Sequence, residues 1–135
     1  MLLRKTYGID LGSSTIKVYS FLKNKSYMEK NMVASKGHTI IAIGNEAYEM
    51  FEKSPVNIAV NSPMTFGMIA NLELQEIVLY SMIRKIDHIL GFGATMYFTV
   101  PLDMTAVEKR AYFHVANGHW SVSYTHLRAH ETDSY

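Results

Sequence analysis

The stretch that most constrains this chain runs from Tyr7 to Ser20, Tyr-Gly-Ile-Asp-Leu-Gly-Ser-Ser-Thr-Ile-Lys-Val-Tyr-Ser. Apolar Tyr7 and Ile9 alternate up to Asp10, and Ile16, Val18 and Phe21 alternate around Lys17, Tyr19 and Ser20. Two such runs joined by a Gly/Ser turn predict a β-hairpin. Gly12 can take a positive φ without a Cβ penalty. Successive N–H groups in a turn of this kind form an anion-binding concavity. Ser13, Ser14 and Thr15 add hydroxyls, and Lys17 adds a point charge that suits phosphate. Asp10, at the end of the first strand, is placed to hold a hydrated Mg²⁺, an ion that keeps several waters and takes few carboxylates. The turn lacks the Gly-Lys-Ser/Thr run of a Walker loop, and a strand rather than a helix follows it, unlike a dinucleotide fingerprint. An ordinary hairpin with a polar turn is the plain alternative.

Composition narrows the class. The 135 residues suffice for one small domain, and 48% hydrophobic content is that of a globular chain. Thirteen basic and 12 acidic residues leave a net charge of +1, which makes no electrostatic case for nucleic acid as a partner. With no cysteine, disulfide frameworks, thiolate metal sites and cysteine nucleophiles are excluded. No apolar run reaches the ~18 residues of a membrane span, and Met-Leu-Leu-Arg-Lys is too short for a signal peptide, so a cytoplasmic location is expected.

Downstream, a third β run is expected from Lys23 to Met32, with Tyr27, Met28 and Met32 as core candidates. Residues 35–38 read as a loop and Thr39 to Ile43 as a strand broken by Gly44. Asn45 should cap a helix from Glu46 to Lys53 with an apolar side of Ala47, Met50 and Phe51, stopped by Pro55. Lone His38 reads as a solvated loop residue. Asn71 should cap the longest helix, Leu72 to about Leu90. Its apolar stripe is Leu72, Leu79, Met82, Ile83, Ile86 and Leu90, with Glu73, Glu76, Arg84, Lys85 and Asp87 mostly opposite. Thr95 to Val100 is an almost continuous apolar run, as in a strand buried on both faces. Thr105-Ala106-Val107-Glu108 is a capping box opening another helix, with Val107, Ala111 and Val115 as its stripe. The order is α/β, with the late strand expected parallel to the first because a long helical crossover joins the two regions.

These segments together resemble the actin-like ATPase superfamily, and within it the MreB family. Gly8-Ile9-Asp10-Leu11-Gly12 matches the opening of the superfamily's nucleotide hairpin. Ala42-Ile43-Gly44-Asn45-Glu46-Ala47 resembles the MreB segment Ala-Val-Gly-Asn-Asp-Ala. Pro63-Met64, Gly67, Ile69 and Ala70 follow its Pro-Met-Lys-Asp-Gly-Val-Ile-Ala, and Thr105-Ala106-Val107-Glu108-Lys109-Arg110-Ala111 its Thr-x-Val-Glu-x-Arg-Ala helix. Ser13-Ser14-Thr15-Ile16 departs from the usual Thr-Ala-Asn-Thr. Lys17 replaces an apolar residue and is more like the lysine of actin or of sugar kinases, and Asn71 stands for a usual Asp.

The resemblance implies an actin-like (ribonuclease H-like) ATPase fold. Residues 1–120 would be an incomplete first lobe with a small inserted α/β subdomain at about 32–70. It implies ATP and Mg²⁺ as ligands, with Gly12, Ser13, Ser14, Thr15 and Lys17 on phosphates and Asp10 toward the metal through water. It implies self-association into filaments, attachment to the inner face of the cytoplasmic membrane, and cell-shape and wall-synthesis proteins as partners. Leu90 and Phe92 are candidate membrane contacts. No catalytic residue is assigned, and the chain alone is expected not to bind ATP. A small-molecule kinase of the same superfamily, or a PilM- or FtsA-like nucleotide-binding scaffold, are the other readings. Val122 to Thr132, finally, resembles a translated sequencing adapter, so residues 121–135 are expected not to be native, and the tail's His126, His130, Glu131 and Asp133 are not read as a metal site.

Overall fold

The computed structural model describes residues 5–53, 56–88 and 94–117, and the backbone of 123–129. Strand β1 (Lys5–Leu11) pairs antiparallel with β2 (Thr15–Ser20), which pairs antiparallel with β3 (Lys25–Lys30). A second, smaller layer follows. It contains β4 (Val33–Lys36), β5 (Thr39–Ile43), helix α1 (Asn45–Lys53), β6 (Ala59–Asn61) and the short hairpin β7 (Met64–Thr65) and β8 (Met68–Ile69). Helix α2 (Leu72–Ile86) crosses back to β9 (Ala94–Val100), then come α3 (Ala106–Asn117) and β10 (Ser123–Ala129). The main sheet has the order β10-β9-β1-β2-β3, with β9 parallel to both β1 and β10. The expected parallel return of the late strand is therefore present.

The main core lies on one face of this sheet. Tyr7, Ile9, Ile16, Val18, Met96 and Phe98 meet Val78, Leu79, Met82 and Ile83 of α2 and Tyr112 and Val115 of α3. Each of these large side chains contributes about 1.5–3 kcal/mol by leaving water. Phe98 and Tyr112 meet edge-on, with ring centroids 5.4 Å apart. A small second cluster, Ala34, Ala42 and Ala47 with Met32, Met50, Ile58 and Val60, seats α1 on its own three-stranded sheet, ordered β5-β4-β6.

Several sequence expectations change. Residues 35–36 belong to β4 rather than a loop, because Val33 to Ser35 pair with β6 on one side and with β5, across a bulge, on the other. Phe51, Met28 and Val107 are exposed, at 55%, 61% and 68%. Each lies on the side of its element that no second layer covers among the described residues. For the same reason β9 is not buried on both faces. Ala94, Met96, Phe98 and Val100 are buried, while the alternating Thr95, Tyr97 and Thr99 are half-buried. Helix α2 ends at Ile86, with Asp87 as its C-cap, so the apolar stripe stops short of Leu90. Leu90 and Phe92 lie outside the described residues.

Asn45 does not cap α1 with its side chain. Its Oδ1 accepts from the Lys30 N–H at 3.0 Å, and its own N–H donates to Glu29 Oε1 at 2.9 Å. The helix is capped by a carboxylate from β3, a favourable charge at a positive dipole end. Lys85 of α2 reaches the same Glu29 oxygen at 3.2 Å. Gly44, at φ +71°, lets the chain pass, since a Cβ there would lie 2.3 Å from Glu29 Oε1.

Asp87 is the largest surprise. Read as a solvent-facing residue, it is 5% exposed. Tyr7 Oη donates to its Oδ2, and Lys5 and Lys23 Nζ each lie 3.4 Å from its Oδ1. Lys23 also donates to the Ile86 carbonyl. Burial by itself pushes the Asp87 carboxyl up, but the Tyr7 hydrogen bond and the two lysine charges outweigh it and hold the group below the usual carboxylate range. Burial, and then Asp87, push the Tyr7 phenol far up, so it stays a donor. A carboxyl depressed in the folded state stabilises above its unfolded pKa and loses that contribution as pH falls through the folded one. Asp87→Asn should therefore cost about 2 kcal/mol at pH 7. In denaturant titrations the gap from the parent protein should begin to narrow below about pH 4, where the unfolded carboxyl takes up a proton, and should close only as pH falls through the lower folded value.

Candidate functional site

The turn between β1 and β2 sits at the carboxyl end of β1, beside the carboxyl end of parallel β9, where open α/β sheets place their ligand crevices. Leu11 pairs with Ile16, so residues 12–15 must reverse the chain within one turn. The Gly12 N–H donates to the Thr15 carbonyl at 2.9 Å and closes the loop. Gly12 is not in the left-handed region. It is required for proximity, because a Cβ there would lie 2.8 Å from the Thr15 oxygen.

Three successive carbonyls of this turn are held by the protein. Asn31 Nδ2 donates to Gly12 O at 2.9 Å, Ser62 Oγ donates to Ser13 O at 2.7 Å, and the Asn31 N–H donates to Ser14 O at 2.9 Å. Across a trans peptide the next N–H points opposite to the carbonyl. Each of the N–H groups of Ser13, Ser14 and Thr15 is thereby turned away from the donor that holds the preceding carbonyl. Ser13 Oγ accepts from the Gly67 N–H at 3.2 Å, which joins the turn to the β7–β8 hairpin. Ser14 is exposed, and Gly12, Ser13 and Thr15 are half-buried.

Asp10 and Lys17 are both exposed and face each other directly across the β1–β2 ladder. Opposed side chains share one face at roughly 5 Å between Cβ atoms. Here that face is the outer one, opposite the core. They form the polar end of a groove of about 430 Å³ whose apolar walls include Tyr19, Phe21 and Met28. Burial, then the charges of Asp10 and Glu108, raise the Tyr112 phenol above its ordinary value. Glu108 is held by Thr105, whose Oγ1 accepts from the Glu108 N–H at 3.1 Å and donates to its carboxylate at 2.9 Å. Among the described residues no three His, Asp or Glu side chains gather as a metal site.

The structure thus brings together Gly12, Ser13, Ser14, Thr15, Asp10 and Lys17. Sequence reasoning missed what lies beneath them. Asn31 and Gln75 are fully buried polar residues and hold each other with two amide hydrogen bonds, Nδ2 to Oε1 at 2.9 Å and Nε2 to Oδ1 at 3.1 Å. Gln75 on the core side of an amphipathic helix was the available signal.

A profile of the MreB/Mbl protein family matches residues 4–122 of the chain. The chain belongs to the MreB/Mbl family. It is 32% identical over 107 residues to the cell shape-determining protein Mbl of Bacillus cereus, covering 77% of this chain and 32% of that one. It is 29% identical over 118 residues to the cell shape-determining protein MreB of Escherichia coli, covering 82% and 34%. This MreB/Mbl chain spans about a third of the length of those curated relatives. In fold it is similar to MreB5 of Spiroplasma citri bound to AMPPNP, with a TM-score of 0.80 at 22% identity over 96% of this chain and 39% of that one. It is also similar to the MamK double helical filament, with a TM-score of 0.75 at 19% identity over 93% and 41%. The architecture is that of an actin-like ATPase, of which these residues are part of one lobe.

The turn's geometry can be tested by crowding it. Gly12→Ala should lower stability by about 2 kcal/mol, since backbone must move. Gly8→Ala, where the nearest atom is Phe21 Cε1 at 3.6 Å, should cost less than about 1 kcal/mol. Parallel denaturation curves of the two variants check the difference.

Proposed function

We propose that this chain is the opening part of a bacterial actin homologue that binds ATP with Mg²⁺, assembles into filaments with copies of itself and serves cell shape at the membrane. The observation that carries the nucleotide reading is the turn itself. Three carbonyls tied into the protein turn the N–H groups of Ser13, Ser14 and Thr15 away from those ties, which suits them to phosphate oxygens. Gly12 keeps this concavity free of a side chain, Lys17 supplies positive charge at its rim, and Asp10 is the carboxylate available for a hydrated Mg²⁺. The bound metal would supply charge neutralisation on the phosphates. The likeness to MreB5 bound to AMPPNP supports the same reading.

Filament formation is supported by the likeness to MamK and by membership of the MreB/Mbl family, whose relatives bear the name cell shape-determining. Wall-synthesis proteins as partners rest on that family membership. Membrane association rests on Leu90 and Phe92 in the segment after α2, since no helix among the described residues is long and apolar enough to cross a bilayer. Residues 121–135 are proposed to be foreign to the native chain. The family match ends at 122, and main-chain pairing of 123–129 on the edge of β9 is open to any extended segment.

In the full-length protein, Lys17→Ala should weaken ATP binding by about tenfold or more, the loss of one charge-assisted contact to phosphate. Asp10→Asn should abolish the difference in affinity between ATP with Mg²⁺ and ATP with a chelator. Titration calorimetry reads both, and ATP-dependent sedimentation of the parent protein reads assembly. Wild-type affinities for ATP and adenosine that are equal would defeat the phosphate assignment. Substituting Leu90 and Phe92 together by serine should reduce co-sedimentation with anionic lipid vesicles, and unchanged binding would remove the membrane assignment.

A further inference from the structure

The best-defined polar group outside the turn is the pair of amides beneath it. Asn31 closes the junction between β3 and β4, Gln75 lies in the first turns of α2, and both have no solvent exposure. A buried amide left unpaired is costly, so such groups persist where their hydrogen bonds are complete. Asn31 uses its whole donor set. One Nδ2 hydrogen goes to Gly12 O and the other to Gln75 Oε1, while its main-chain N–H goes to Ser14 O. Gln75 Nε2 returns a hydrogen bond to Asn31 Oδ1. The Gly12 carbonyl can only accept, so it fixes one orientation of the Asn31 amide, and the reciprocal bonds hold Gln75 to match. Reversed, Asn31 would point its oxygen at the Gly12 carbonyl oxygen.

We infer that Asn31 and Gln75 are positioning residues for phosphate binding. Asn31 holds the Gly12 and Ser14 carbonyls inward, which aims the N–H groups of Ser13 and Thr15 outward. Gln75 locks the amide that does this, and so couples the first turns of α2 to the turn. This rests on the reading of the turn as the ATP phosphate site. It adds that phosphate affinity is set by two side chains that never touch the nucleotide.

The test uses the full-length protein and compares its affinities for ATP and adenosine, the second lacking every group the turn would hold. Asn31→Ala removes the grip on Gly12 while keeping the main-chain bond to Ser14. Gln75→Met keeps length and burial while removing the lock, and it is the variant best able to keep the fold. Val78→Ala, in the core on the same helix but with no polar group to offer the turn, serves as a destabilised control. The preference for ATP over adenosine should fall by about tenfold in Asn31→Ala, the scale of one lost hydrogen bond to a well-placed group, and by a smaller factor in Gln75→Met. Adenosine affinity itself should not move, and Val78→Ala should lower the melting temperature while leaving the preference intact. A wild-type preference that survives in both amide variants overturns the positioning role. So does a loss of preference in Val78→Ala equal to theirs. A wild-type protein with no preference overturns the phosphate reading instead.

Discussion

Three consecutive backbone carbonyls in one tight turn need partners, and supplying them organises this structure. Gly12, Ser13 and Ser14 receive donors from Asn31 at the end of β3, from Ser62 before β7 and from the Asn31 main chain. Of these donors only Ser62 comes from the second, smaller layer, so a shift of that layer would release the Ser13 carbonyl. Gln75 extends the same network into α2, and Ser13 Oγ extends it to Gly67. The orientation of the turn's N–H groups is a consequence of where its carbonyls are held.

The opposite end of the sheet is fixed by charge. Asp87 terminates α2, accepts from Tyr7 at the start of β1 and gathers Lys5 and Lys23. Removing one partner from such a cluster leaves a buried charge uncompensated, which is why it acts as an anchor rather than a surface decoration. Between this anchor and the Asn31–Gln75 pair, α2 is held at both ends over a hydrophobic core. Glu29 adds a third tie, capping α1 and meeting Lys85 of α2. The arrangement leaves one face of the main sheet, with Phe21 and Met28, without a covering layer among the described residues.

Much of this was legible in residue order. The Gly8–Gly12 hairpin, the crossover to a parallel strand, the caps at Asn71 and Thr105 and the family likeness follow from local patterns, because turn chemistry and helical periodicity are short-range properties. Asn71 Oδ1 accepts from the Leu74 N–H as expected of a cap. Periodicity could not say which faces would be covered, so Met28, Phe51 and Val107 were misjudged, and β4 was hidden by a polar, short strand whose existence depends on two neighbours. Asp87 reads as a polar-face residue until the folding of β1 brings Tyr7 and Lys5 to it.

The amino-acid sequence by itself determined the α/β order and the MreB-like lineage, and it singled out Asp10, Gly12, Ser13, Ser14, Thr15 and Lys17 as candidates, since all of these lie in contiguous segments. Only the tertiary structure decided that Gly12 is needed for closeness rather than for a left-handed φ. It alone revealed Asn31 and Gln75, 44 residues apart, as the support beneath the turn. The reason is physical. A hydrogen-bond partner for a buried carbonyl is chosen by proximity after the chain has packed, and no spacing along the chain encodes that proximity.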